Sequence, residues 1–175
     1  PVFAFDKLVD FGVRLLEARG TPADSAETVA QLAAGSEAWG IPTHGLQLYR
    51  YLEGAFEDGL DARRRPSVAK ESGATATVDG AGCFGQLAMT LATEVATRKV
   101  RESGIAMVSV PETFWIAGLA VYMVPIVEAG LFGELWVQHS SGKDCAPFGG
   151  IDPRFSTNPL ALAFPTHGGG GMISD

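Results

Sequence analysis

The residue order predicts an α/β fold of the mixed α+β kind, with a helical first part followed by strands alternating with helices. Three observations predict it. Up to about residue 57 the apolar residues recur mostly at three- and four-residue intervals, the period of an amphipathic helix. Beyond Arg65-Pro66 short apolar runs alternate with helical stretches, which suits sheet and helix in layers. The 175 residues are 46% apolar and 19% charged, and a chain of that size buries about 70% of its unfolded surface, enough for a core without disulfide staples.

The elements follow in order. Phe3, Leu8, Val9, Phe11, Leu15 and Leu16 form the first stripe, and Gly20 closes it as a C-terminal cap. Thr21-Pro22-Ala23-Asp24 then opens a second helix with a hydroxyl, a proline and an acid in the order a helix start favours. Its apolar face is Ala26, Val29, Leu32 and Ala33, it runs to about Trp39, and Gly40-Ile41-Pro42 breaks it. A third helix is expected over 44–56. Ser72-Gly73 turns a hairpin between 68–70 and 74–78. A long helix over 86–102 ends at Gly104, and 105–110 reads as a buried strand. A helix over 118–129 stops at Gly130, and 135–137 and 160–164 are two further strands. The expected division is a helical region, 1–66, and a region of alternating strands and helices, 67–175.

Composition excludes several classes of function. The net charge of −7 repels phosphate backbones and anionic headgroups, so neither nucleic acid nor membrane is an expected partner. Cys83 and Cys145 are too few for a disulfide framework and lack CxxC spacing. Residues 116–127, the longest apolar stretch, contain Pro125 and are too short to span a bilayer. With no secretory signal at the start, a cytoplasmic protein is expected.

Four patterns carry possible chemistry. Gly80-x-Gly82-x-x-Gly85 lies between a strand and a helix, with Glu112 beyond a second strand, on the spacing of a Rossmann phosphate loop. The preceding Ala74-Thr75-Ala76-Thr77-Val78-Asp79 alternates small and polar residues, whereas a Rossmann first strand should be continuously apolar. The glycines are therefore read as a turn that starts a helix, a Rossmann dehydrogenase fragment being the weaker alternative. His44, in Pro42-Thr43-His44-Gly45, is either a proton donor or acceptor or simply a cap. The stretch from Ala146-Pro147-Phe148-Gly149-Gly150 to Thr157-Asn158-Pro159 is long, apolar and glycine-rich, a composition kept for binding more often than for packing. His139 and His167, with no acids at ligand spacing, do not form a metal site with His44.

Taken together, Thr43-His44-Gly45, Asp79-Gly80-x-Gly82, Ala146-Pro147-Phe148-Gly149-Gly150, Thr157-Asn158-Pro159 and Ile173-Ser174-Asp175 resemble the type-2 malate/L-lactate dehydrogenase family. That family also contains sulfolactate, ureidoglycolate, diketogulonate and piperideine-2-carboxylate oxidoreductases. The resemblance covers essentially this whole chain and about the first half of a family member. It implies an L-sulfolactate dehydrogenase-like, non-Rossmann fold, NAD or NADP as cofactor, and an active site where two subunits meet.

Residue by residue, the resemblance makes His44 the donor of a proton to the substrate carbonyl or imine, with Thr43 where the family has serine. Asp175 would complete a hydroxyl–imidazole–carboxylate relay, and Ser140 would contact the dinucleotide together with Pro147, Phe148, Gly149, Thr157 and Asn158. Trp115 stands where the family carries a histidine near nicotinamide and substrate; indole takes up no proton at neutral pH and fills more space. The implied function is reduction of a 2-oxo acid, or a cyclic imino acid, by a homodimer or by a chain whose second half comes from another polypeptide. The alternative is a non-catalytic homologue or partner subunit with Trp115 filling the pocket. Which substrate is used, and whether NAD or NADP, stays open at this point.

Overall fold

Residues 2–139 and 142–175 are described by the computed structural model. They fall into two units, Pro1–Tyr122 and Met123–Asp175, and the boundary lies inside a helix spanning Ala120–Glu128. The change of character at Arg65-Pro66 is the passage from helices to strands, within the first unit.

In the first unit α1 (Phe5–Glu17) packs on α2 (Ala23–Ala38), and Leu16, Ala26, Val29 and Ala30 are fully buried there. Leu52, Ala55, Leu60, Phe84 and Leu87 complete the cluster, with α3 (Leu52–Glu57) supplying the first two. α1 stops where its sequence says it should. Gly20 takes φ +85°, the Thr21 N–H donates to Leu16 O at 3.1 Å and the Gly20 N–H to Glu17 O at 2.9 Å, which satisfies the last carbonyls of the helix. The expected Thr21 cap does not form. Thr21 closes α1 and its Oγ1 is buried without a partner, α2 has no side-chain cap, and the Ser25 N–H donates to Asp24 Oδ1 at 2.9 Å. The single helix expected over 44–56 is also divided: two 3-10 turns, Pro42–His44 and Leu46–Tyr51, precede α3.

β1 (Ser67–Ser72) and β2 (Thr75–Asp79) form the expected antiparallel hairpin. α4 (Gly85–Ser103) then crosses to β3 (Met107–Ser109), which runs parallel to β2. Ala76 and Val78 are buried on one face of β2, where Val78 joins Cys83, Ala88 and Ala92 in a cluster; Thr75, on the other face, is exposed. Lys99 of α4 is 3% exposed, and its Nζ donates to Gly73 O at 2.6 Å and pairs with Glu71 at 3.2 Å, fastening the helix to the hairpin turn. The 105–110 run is not the buried strand its composition predicts. β3 has only three residues at the edge of the sheet, with one neighbour, and leaves Ile105 and Met107 exposed.

The second unit is an antiparallel sheet in the order β4 (Gly133–Trp136), β5 (Leu160–Pro165), β6 (Gly171–Ser174), with residues 123–128 of α5 (Ala120–Glu128) against it. Ala161 and Ala163 are fully buried. Glycines let the helix come close: a Cβ at Gly133 would lie 2.8 Å from Ile126 Cγ2, and one at Gly171 would lie 2.6 Å from Val127 Cβ. β6 escapes the sequence reading because a glycine run connects it to β5. That run is a turn closed by Thr166, whose N–H donates to Gly170 O and whose Oγ1 donates to Gly169 O.

Candidate active site

The His44 turn is built from the end of α2. Gly40, at φ +79°, ends that helix, with the Ile41 N–H donating to Ser36 O at 2.9 Å and the Gly40 N–H to Glu37 O at 3.0 Å. The chain then enters the 3-10 turn, where the His44 N–H donates to Ile41 O and the Gly45 N–H to Pro42 O. Glu37 holds the next turn, its Oε2 accepting the Leu46 N–H at 3.2 Å. Gly45 is buried against the same helix. Thr43 and His44 are exposed, and Thr43 Oγ1 lies 3.0 Å from His44 Nδ1. In an imidazolium both ring nitrogens carry hydrogen; with Nδ1–H donating to the Thr43 oxygen, the second hydrogen is on Nε2. Burial pushes the phenol of Tyr49, in the following turn, well above its ordinary value of 10.0.

Residues 114–118 lie beside these elements. Ser36 Oγ, fully buried, donates to Leu32 O and accepts the Gly118 N–H at 2.9 Å. Trp115 is half-buried and packs, with Phe114, against the α1–α2–α3 cluster. The chain at Phe114 and Trp115 also covers the start of α4: a Cβ at Gly85 would clash with Phe114 O and lie 2.7 Å from Trp115 O. Carbonyl oxygens at that helix start repel a phosphate, and β2, antiparallel to β1 and open on one face, is not the strand a Rossmann unit requires. The Rossmann alternative is thereby excluded. Cys83 offers no nucleophile in this turn, since burial pushes its thiol up.

The second unit carries the other candidates on one loop. Cys145 and Phe155 bridge, with the Cys145 N–H donating to Phe155 O at 2.8 Å and the Phe155 N–H to Cys145 O at 3.0 Å, so 146–154 project as an inner loop. Inside it the Gly150 N–H donates to Pro147 O at 2.8 Å and Gly149 takes φ +78°. That left-handed third position is the geometry of a type II turn, and glycine takes it without strain. Phe148, at the second position, is 109% exposed. Thr157 O accepts the His139 N–H at 3.3 Å, and the Asn158 Nδ2 donates to Ser156 O at 3.2 Å. Asp175 follows β6. Ser140 lies outside the described residues.

The sequence reading passed over four polar residues, Glu37, Ser36, Ser156 and Asp144, and weighed His139 only as a metal ligand. Glu37 and Ser36 hold the His44 turn, and the only signal for them is their place one turn before a helix-ending Gly40. Ser156 accepts or donates at 2.8 Å from His139 Nδ1 and donates to Asp144 Oδ2 at 2.6 Å. No motif marks these three. Among the described residues, no three of His, Cys, Asp and Glu come together as a group able to hold a metal ion, and no helix is long and apolar enough to cross a membrane.

Comparison with known proteins supplies the family. Residues 3–175 match the family described as malate/L-lactate dehydrogenase. The chain belongs to that family. It is 36% identical over 166 residues to a malate dehydrogenase of Pyrococcus abyssi, covering 93% of this chain and 45% of that protein. It is 27% identical over 173 residues to the Delta(1)-pyrroline-2-carboxylate/Delta(1)-piperideine-2-carboxylate reductase of Pseudomonas syringae pv. tomato, covering 98% of this chain and 50% of that protein. Among solved structures, a dehydrogenase from Sinorhizobium meliloti superposes with a TM-score of 0.86 at 31% identity, over 98% of this chain and 50% of the other. This malate/L-lactate dehydrogenase family chain thus spans about half the length of the curated relatives it matches. Its fold is the mixed α/β fold of malate and sulfolactate dehydrogenase-like proteins.

Proposed function

We propose that the complete protein is an NAD(P)-dependent oxidoreductase that reduces a 2-oxo acid, or a cyclic imino acid, to the 2-hydroxy or amino form. The observation that carries this reading is the His44 turn: an exposed imidazole with Nδ1 3.0 Å from the Thr43 hydroxyl, in a chain matched to the family over 3–175. The names of the Pyrococcus and Pseudomonas relatives support a carbonyl or a cyclic imine as the reducible group.

A bound nicotinamide supplies a hydride to the substrate's electrophilic carbon. The protein's own part is proton transfer and positioning. His44 hands the proton on Nε2 to the substrate oxygen or nitrogen while Thr43 keeps Nδ1 hydrogen-bonded, and Asp175 is the carboxylate we assign to the charged ring. The 142–158 loop fits a dinucleotide better than the start of α4 does: it offers the exposed Phe148 face for stacking, a glycine turn that lets a ligand approach the backbone, and the polar Thr157 and Asn158. Pro147, Phe148, Gly149, Thr157 and Asn158 would hold it, with Ser140 assigned by resemblance. Trp115 shapes the substrate end through its neighbours, and the active assembly is a homodimer, or a pairing that supplies the rest of the relatives' length.

The test is oxidation of NADH and of NADPH by the complete protein with a panel of 2-oxo acids and cyclic imines. Turnover with one class, reduced about 100-fold or more by His44→Ala, supports the reading. Full turnover in His44→Ala removes the proton-donor assignment, and no dinucleotide binding removes the cofactor.

A further inference from the structure

The hydroxyl of Ser156 joins three segments of the projecting loop. His139 leads into it, Asp144 lies on its outgoing limb and Ser156 on its return. Ser156 is 8% exposed, whereas His139 and Asp144 are exposed. An ionised carboxylate only accepts, so at 2.6 Å the single Ser156 proton goes to Asp144 Oδ2. Oγ can then only accept at the 2.8 Å contact with His139, which places a hydrogen on Nδ1. The three groups meet beside Gly142: a Cβ there would clash with Ser156 Oγ and lie 2.6 Å from Asp144 Oδ2 and 2.7 Å from His139 Nδ1. A side chain at 142 would have to separate them.

The backbone supports the same clasp. The Asp144 N–H donates to Phe155 O at 2.7 Å and the Arg154 N–H to Cys145 O at 2.9 Å, so the two limbs are drawn together immediately below the inner loop. Beyond it Phe148 is 109% and Ile151 95% exposed. An exposed aromatic ring held out on a fastened loop has already lost much of the conformational freedom that a ligand would otherwise have to remove.

We propose that Ser156, with Asp144 and His139, is the positioning device of the dinucleotide loop, setting the placement of Phe148, Thr157 and Asn158 for the cofactor. This rests on the cofactor reading above. Ser156 touches no reacting atom in this scheme. It acts on dinucleotide affinity through the loop, and leaves the proton transfer of His44 alone.

The test uses the complete protein and titrates NADH and NADPH by their fluorescence. Ser156→Ala weakens dinucleotide binding about ten-fold, the effect of one lost hydrogen bond to a charged network, raises the KM for the dinucleotide and leaves kcat near the wild-type value. Ser156→Thr, which keeps the hydroxyl, restores affinity. Gly142→Ala deletes no polar group yet weakens binding as Ser156→Ala does, because it parts the clasp. Long-range proton–nitrogen NMR correlation finds the His139 hydrogen on Nδ1 in the wild type. Should Ser156→Ala and Gly142→Ala bind dinucleotide with wild-type affinity, the clasp has no positioning role, while the cofactor reading stands. Should the wild type bind neither dinucleotide, the cofactor reading falls and this proposal falls with it. A change in kcat without a change in affinity would also overturn it.

Discussion

Gly45 lies so close to Glu37 that a Cβ at position 45 would stand 2.6 Å from the Glu37 Oε2, 3.0 Å from its backbone nitrogen and 3.1 Å from Ala33 O. The residue after His44 is therefore pressed into the last turns of α2, and the histidine is presented by a rigid helix instead of a free loop. The His-Gly pair in the sequence has this physical meaning: the glycine is what allows the turn to sit on the helix.

Gly45→Ala follows directly. Two of the three contacts are with backbone that cannot move without bending α2, so the variant loses about 1–3 kcal/mol of stability. Urea unfolding of the complete protein measures it, and a Gly45→Ala variant as stable as the wild type would show that the turn is free to shift. The same variant moves His44 relative to its substrate, so turnover should fall by more than the loss of folded protein accounts for.

Glu37 gives a gentler perturbation. Its Oε2 accepts the Leu46 N–H at 3.2 Å at the start of the second 3-10 turn. Glu37→Ala leaves that N–H without its side-chain partner and costs about 1 kcal/mol, whereas Glu37→Gln keeps an oxygen in place and costs less. Comparing the two midpoints in one denaturant series separates the loss of the acceptor oxygen and its side chain from the loss of the charge. Equal losses in both variants would assign the effect to the charge instead.

What the sequence showed and what it hid divide along physical lines. Helices α1, α2 and α4, the hairpin at Gly73 and the stop at Gly104 were legible because apolar spacing and glycine act over a few neighbouring residues. The buried strand at 105–110 was misjudged, since exposure of Ile105 and Met107 depends on β3 being an edge, and composition does not tell an edge from a centre. β6 was missed because the glycines before it read as loop. Thr43 and His44 could be named from their motif, but Glu37 could not: its partner Leu46 is nine positions away, a spacing with no local signature. The Ser156 network is hidden for the same reason, being made of residues from two limbs of one loop.

Acid should release the hairpin from α4. The Arg98 and Lys99 side chains bound to Glu71 hold its carboxyl below the ordinary value of 4.5, Arg98 having the larger effect. A carboxyl depressed in the folded state contributes stability above its unfolded value, and that contribution disappears as pH falls through the folded value. The wild type should therefore lose stability progressively below about pH 4.5, and Glu71→Gln should lose less over that range while being less stable at neutral pH. Melting temperatures of both proteins between pH 3 and pH 7 decide the matter, and parallel curves would show that Glu71 is uncoupled from folding.

The two cysteines should behave oppositely towards a thiol reagent. Cys83 is fully buried, its Sγ donating to Phe84 O at 3.3 Å, and burial raises the pKa of the thiol, so both the thiolate and access to it are scarce. Cys145 is exposed at the foot of the projecting loop. Iodoacetamide followed by peptide mass analysis should modify Cys145 promptly, and Cys83 on the order of a thousand times more slowly, because Cys83 reacts only from conformations in which the β2–α4 turn has opened. Low urea should accelerate Cys83 and hardly affect Cys145. Comparable native rates would mean that the cluster of Val78, Cys83, Ala88 and Ala92 is not closed, and with it the account of how α4 is seated on β2 would fail.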